Sequence, residues 1–212
     1  MMLCRLTNVK TFLGITGTEK DDQLTLMIKQ ASALINGYVG YNLSRKEYTE
    51  ELHNVNFRQE LQLRHQPIQE VAEVKINGVE INNWQLIPTL AEIGMLYKND
   101  GWAGPYTTRG MTGDFVAGDY CIEVTYTAGY YLPDDEHYSE DNENSLPFDI
   151  QSACLETVAE MFNIRKNKAE GIKSHSEGGI STTFAGVEEI GESGLSKKVV
   201  EMLADYKRYG VA

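Results

Sequence analysis

The chain has 212 residues, 42% of them hydrophobic and 24% charged, with only 5 prolines; this is the composition of a globular protein of one or two domains at about 100 to 200 residues each, and it excludes disulfide-stapled miniproteins and collagenous or wholly disordered chains. Its 31 acidic against 19 basic residues give a formal charge of −12 at pH 7, so the chain repels phosphate and lacks the basic footprint of a tight, sequence-specific DNA binder. No stretch approaches the roughly 18 consecutive apolar residues of a membrane span, residues 1–14 hold no apolar signal core, and Cys4, Cys121 and Cys154 are odd in number and far apart, which predicts a soluble, non-secreted chain with reduced thiols.

Val9, Phe12 and Leu13 ahead of Gly14 predict a short helix over 7–13 with Thr7 near its N-cap. Thr18 and Asp21 form an approximate capping box, and Leu24, Ile28, Ala31, Ile35 and Tyr38 then recur at helical spacing, so a helix is expected over 19–39 with Gly40 as its stop. From Lys46 the apolar period becomes two. Strands are expected around Tyr48 to Leu52, Leu61 to Leu63 and Val71 to Ile76, and Asn77-Gly78 supplies the two positive-φ positions of a tight hairpin turn into Val79 to Ile81. Further strands are expected at 84–87, 94–97 and 119–127, with a long glycine-rich loop over 98–118.

The acidic stretch 132–145 has no periodicity and marks the exit from the β region. Leu146-Pro147 starts a helix whose stripe is Ile150, Cys154, Val158, Met161 and Phe162, running to about Arg165. A Gly/Ser-rich loop follows over 171–194, and a last helix over 196–209 carries Val199, Leu203 and Tyr206 on one face with Lys207 and Arg208 in its final turn. Helices, then strands, then helices predict an α+β fold: a helical unit of residues 1–46 and 146–212 with an antiparallel β region, 47–145, inserted.

Enzyme signatures fail at required positions. Gly191-Glu192-Ser193-Gly194-Leu195 has leucine where a nucleophile elbow needs its second glycine. Phosphate-binding glycine loops are missing, and His53, His65, His137 and His175 stand singly, without metal-ligand spacing. The acidic run from Asp134 to Glu143 lacks the register of a Ca²⁺ loop and reads as a solvated segment. Trp102 and Tyr106 would either stack on sugars or bases or anchor their loop. No catalytic residue, cofactor or metal site is therefore expected.

Three blocks carry a family likeness. They are Leu6-Thr7-Asn8-Val9-Lys10-Thr11-Phe12-Leu13-Gly14-Ile15 with the helix through Ala31-Ser32-Ala33-Leu34-Ile35 to Tyr38-Val39-Gly40; His65-Gln66-Pro67-Ile68 and Val124-Thr125-Tyr126-Thr127-Ala128-Gly129-Tyr130; and Leu146-Pro147, Gly171-Ile172-Lys173-Ser174 and Leu203-Ala204-Asp205-Tyr206-Lys207-Arg208. In this order the chain resembles the head–tail connector (adaptor, head-completion) proteins of tailed bacteriophages and prophages. The resemblance implies a non-enzymatic virion component, present in the host bacterial cytoplasm during assembly, that forms a ring of about twelve copies. The ring would sit between the portal protein and tail-completion (head-closure) proteins, with double-stranded DNA passing through without specific binding and no membrane involved. It also implies that the 171–194 loop and last helix dock onto the portal, with Lys197, Lys198, Tyr206 and Arg208 as partner-binding candidates; the alternative is that Tyr206 is core and the cations a solvated face. Rival readings are a carbohydrate-binding or tail-associated β module and a hydrolase with a carboxylate pair in the sheet.

Overall fold

Both glycines expected to stop the first helices do so in the computed structural model, which describes residues 1–54, 58–102, 121–169, 175–177, 180–182 and 193–208. Helix α1, Leu6–Leu13, ends at Gly14 with φ +64°, and α2, Asp21–Val39, at Gly40 with φ +88°, a left-handed conformation that costs a side-chain-bearing residue energy and glycine almost none. The expected capping box does not form. Lys20 is the N-cap of α2, and Thr18 offers its carbonyl, not its hydroxyl, to the Asp21 N–H. Asp21 pairs instead with Lys10 Nζ at 2.7 Å, and with Asp22 it places negative charge at the positive end of the helix dipole.

The chain divides into two compact units, Met1–Gly40 with Tyr131–Tyr209, and Tyr41–Tyr130. The second holds β1 (Lys46–His53), β2 (Glu60–Gln62), β3 (Ile68–Ile76), β4 (Val79–Glu80), a five-residue helix α3 (Pro88–Glu92), β5 (Met95–Tyr97) and β6 (Ile122–Ala128). One sheet is fully antiparallel in the order β1-β6-β3-β4, and β2 pairs with β5 in a second. Strand β6 is central. Its alternate residues Ile122, Val124, Tyr126 and Ala128 are all buried, and they meet Leu61, Leu63, Val74, Ile76, Leu96 and Trp102 in one core. The β3–β4 turn has φ +53° at Asn77 and +74° at Gly78, the geometry that the dipeptide selects. Residues 84–87 do not become a strand: only Gln85 pairs, with Tyr97, because Pro88 then starts α3. In β1 a bulge between Tyr48 and Glu51 puts Glu50 at φ +52° and turns Glu51 into the core. Trp102 is fully buried and its indole N–H donates to the Gln59 carbonyl at 3.0 Å, so it anchors its chain segment and offers no face to a sugar or base. Tyr106 and most of the expected 98–118 loop lie outside the described residues.

The first unit adds α4 (Phe148–Ala169), strands β7 (His175–Glu177) and β8 (Ile180–Thr182), and α5 (Lys197–Met202). Helix α4 buries Ile150, Ala153, Cys154 and Val158 in the same core as Leu24, Ile28, Ala31 and Ile35 of α2 and Val9 of α1. The Cys4 and Cys154 sulfurs lie 3.3 Å apart as free thiols; their mutual hydrogen bond, with burial, pushes the Cys4 thiol far above its ordinary range, so Cys4 is not poised to react. Within the expected 171–194 loop, β7 and β8 pair as antiparallel strands; the rest of that loop is outside the described residues. The last helix is also shorter than its periodicity predicts. It ends at Met202 and tightens into a 3₁₀ turn, Ala204–Tyr206, which lets the Arg208 N–H donate at 2.8 Å to Val39 O, one of the carbonyls that the end of α2 leaves unpaired. Lys207 and Arg208 are thus past the helix end, and Lys207 Nζ lies 5.0 Å from the centre of the Tyr38 ring.

Candidate partner-binding surface

Helix α5 is held to the first unit by Leu195, Val199 and, just after it, Leu203, all buried to within 1% exposure, which fixes what its other face presents. Lys197 is exposed and loosely paired with Glu201 at 3.8 Å, one turn on. Lys198 reaches across to α4, where its Nζ donates to Glu156 Oε1 at 2.6 Å, and Ser196 Oγ donates to Glu160 Oε1, one turn along the same helix face, at 2.6 Å. Tyr206 is half-buried, and its phenol is pushed up by burial first and then by the charges of Asp149 and Asp205. Arg208 is tied through its backbone to the end of α2. The four sequence-predicted residues therefore fall into two pairs on different supports: Lys197 and Lys198 along α5, Tyr206 and Arg208 beyond it.

A groove of about 400 Å³ in the same unit was not legible from the sequence. The 131–147 segment returns to pair Tyr131 with Ser145, and its turns are closed by Leu132 N–H to Asp135 Oδ2 at 2.6 Å and Ser139 N–H to Ser145 Oγ at 3.1 Å. This segment and the starts of α1 and α4 enclose the groove. Arg5 Nε donates to Pro133 O at 2.7 Å with its guanidinium 5.3 Å from the centre of the Tyr138 ring, and Gln151 Nε2 donates to Tyr138 Oη at 2.8 Å. These bonds hold the polar floor rigid. At the rim Phe148 is 73% exposed. The only sequence signal was an apolar residue directly after the helix-starting proline, at a position where a polar residue serves as well.

The second unit holds the most enzyme-like constellation, and its geometry argues for a clamp. Among the described residues Glu51 is the one buried acidic side chain. Its Oε1 is 2.6 Å from His53 Nε2 and 2.9 Å from the Arg64 N–H; its Oε2 accepts from the Tyr126 hydroxyl at 2.6 Å. Burial opposes its charge, but the hydrogen bonds from His53, Tyr126 and Arg64 outweigh burial and hold the carboxyl below its ordinary range. An ionised carboxylate only accepts, so His53 Nε2 carries the hydrogen. Tyr48 stacks on His65 at 3.7 Å between ring centres, closing the cluster. Among the described residues no three His, Cys, Asp or Glu side chains could hold a metal.

A carboxylate whose folded pKa is depressed stabilises above its unfolded pKa, about 4.3, and that stabilisation is lost as pH falls through the folded value. Glu51→Gln should therefore lower stability at pH 7 by about 1–3 kcal/mol. The deficit relative to wild type should shrink as pH falls below about 4.3. Urea unfolding at pH 7 and pH 3 checks both; a constant difference would mean that folding does not depress the Glu51 carboxyl.

A family model described as head completion protein matches residues 2–209. No curated protein matches the chain. Nine chains of solved structures do. One, from the virion of a native gene transfer agent (GTA) particle, is 15% identical with a TM-score of 0.51, the match covering 99% of this chain and 92% of that one. Another, from the neck of an empty GTA particle computed with C6 symmetry, is 18% identical at the same TM-score and coverages. At such identities the likeness is one of fold, and it extends over both units.

Proposed function

Because the chain belongs to the head completion protein family, we propose that it is a non-enzymatic structural protein of the virion neck, a connector that forms a ring between the portal and the tail-completion proteins and lines the DNA channel. In this reading residues 1–46 and 146–212 are the connector core, 47–145 its inserted β region, and the chain is a part of the virion that is present in the host bacterial cytoplasm during assembly. The observation that carries it is the family match across both units. Charge supports it: at −12 the chain would hold few phosphates, and each phosphate contact avoided keeps the duplex free to slide. The fold likeness to chains from the virion and the neck of GTA particles points the same way.

Lys197, Lys198, Tyr206 and Arg208 are the portal-facing candidates. Truncation after Gly194 would strip Leu195, Val199 and Leu203 from the core, so charge reversal tests the surface more cleanly. Lys197→Glu/Lys198→Glu should weaken binding to purified portal rings at least about tenfold, since like charges brought together at an interface cost heavily. Because both side chains are exposed, losing their pairs with Glu201 and Glu156 should lower the melting temperature only slightly, far less than the loss of binding. Unchanged affinity in a pull-down titration would move the portal contact elsewhere.

A further inference from the structure

Helix α4 is electrically polar from end to end. Beside its start, Asp134, Asp135, Glu136, Glu140, Asp141 and Glu143 are all exposed, and Asp149 is in its first turn. Near its end Arg165 and Lys166 are exposed and in no ion pair among the described residues, and Lys168 follows in the sequence. At 1.5 Å per residue the two charged ends are about 24 Å apart on one rigid rod. The acidic end also contains the groove, whose floor of Arg5, Tyr138 and Gln151 is already hydrogen-bonded and whose rim, Phe148, is the most exposed large apolar side chain among the described residues. Phe148 has no structural task at the helix start; burying a phenylalanine is worth far more than leaving it in water.

We propose that, in the ring, this groove receives the Arg165 and Lys166 end of α4 from the adjacent copy, with Phe148 buried at the contact. The inference rests on the ring reading above and adds which surfaces meet. One subunit bears both the acidic socket and the basic plug at separated places, which is what a repeating head-to-tail contact requires; an antiparallel two-fold pair would satisfy the same charges but would stop at two copies and close no ring. DNA is a poor occupant, because six exposed carboxylates repel it. A neighbouring copy supplies the complementary cations without any new component.

The test is charge exchange in the full chain, read as loading onto purified tail-less heads that carry the portal, with the labelled chain co-sedimented and titrated. Glu140→Lys/Asp141→Lys makes the socket basic, and Arg165→Glu/Lys166→Glu makes the plug acidic. Each variant alone should need at least about tenfold more protein for full loading, since each sets like charges face to face. Mixed in equal amounts they should load like wild type, because alternating subunits restore opposite charges at every contact. Phe148→Ser should weaken loading without lowering the melting temperature, and a water-soluble carbodiimide should join Lys166 to the acidic stretch only in head-bound protein. Wild-type loading by each single variant, or loss in both with no rescue on mixing, would overturn the proposal; the second result would assign the groove to the portal or a tail protein. If wild-type chain fails to load onto heads at all, the connector reading falls together with this one, so the two failures are distinguishable.

Discussion

Gly129→Ala should destabilise the sheet unit by roughly 3–5 kcal/mol, more than any other glycine-to-alanine change among the described residues. Gly129 sits at φ +96°, and a Cβ built there lies 2.6 Å from Ser44 O and 2.7 Å from its carbonyl carbon. Those atoms are backbone, so no side chain can swing aside. To make room the chain at 43–45 must retreat from 129–130, which breaks Tyr130 N–H to Leu43 O and Arg45 N–H to Tyr130 O, both 2.8 Å. The left-handed backbone adds about 1–2 kcal/mol for any residue with a Cβ. Gly14→Ala is the control: φ is +64°, but a Cβ there meets nothing within 4 Å, so only the conformational cost of about 1 kcal/mol remains. Equal urea midpoints for the two variants would show that the close approach at Ser44 is absent in solution.

Ile35→Asp should be comparably damaging in the helical unit, at about 3–5 kcal/mol, because it buries an uncompensated carboxylate among apolar side chains. Ile35 is fully buried on α2, in the core that also holds Ile150, Cys154 and Val158 of α4. Its neighbour Leu34 is a weaker position, being half-buried with its methyls near Gly194. Leu26→Asp, at a side chain 53% exposed on the same helix, should stay within about 0.5 kcal/mol of wild type. Thermal unfolding of the two variants at pH 7 ranks them; a destabilised Leu26→Asp with an intact Ile35→Asp would reverse the assigned face of α2.

Where a signal was local and chemical, the sequence carried it well. Gly14 and Gly40 end helices for a reason written in their own missing side chains, and Asn77-Gly78 dictates its turn without help from the rest of the chain. Where a position answers to distant partners, the sequence was silent or misleading. Thr18 looked like a cap, but Lys10 reaches Asp21 first and the hydroxyl goes unused. Periodicity continued the last helix through Tyr206, while the unpaired carbonyl of Val39 drew the chain out of it. Helix α3 has five residues with only Ala91 buried, too little for any periodic pattern. The candidate surface shows the same division. Lysines 197 and 198 were visible as a charged pair, but the groove arises from a return of the chain between Tyr131 and Ser145 that no short motif encodes, and the Glu51 cluster depends on a bulge that turns one glutamate inward out of an outwardly ordinary polar run.

The bonds between 43–45 and 129–130 bear also on the order in which the molecule can come together. Tyr41–Tyr130 is an excursion of about 90 residues interrupting the helical unit, and an unstructured excursion of that length must have its ends brought together before α2 can meet α4. Closing it as a free loop costs about 2 kcal/mol more than closing one of some six residues, four doublings shorter. Once β1 and β6 are zipped and Tyr130 is bonded to Leu43 and Arg45, the excursion's ends are already adjacent, and the helices experience it as a short tether. Early sheet formation therefore removes most of that entropic penalty, and a slow sheet delays the contacts of α1 and α2 with α4 behind it.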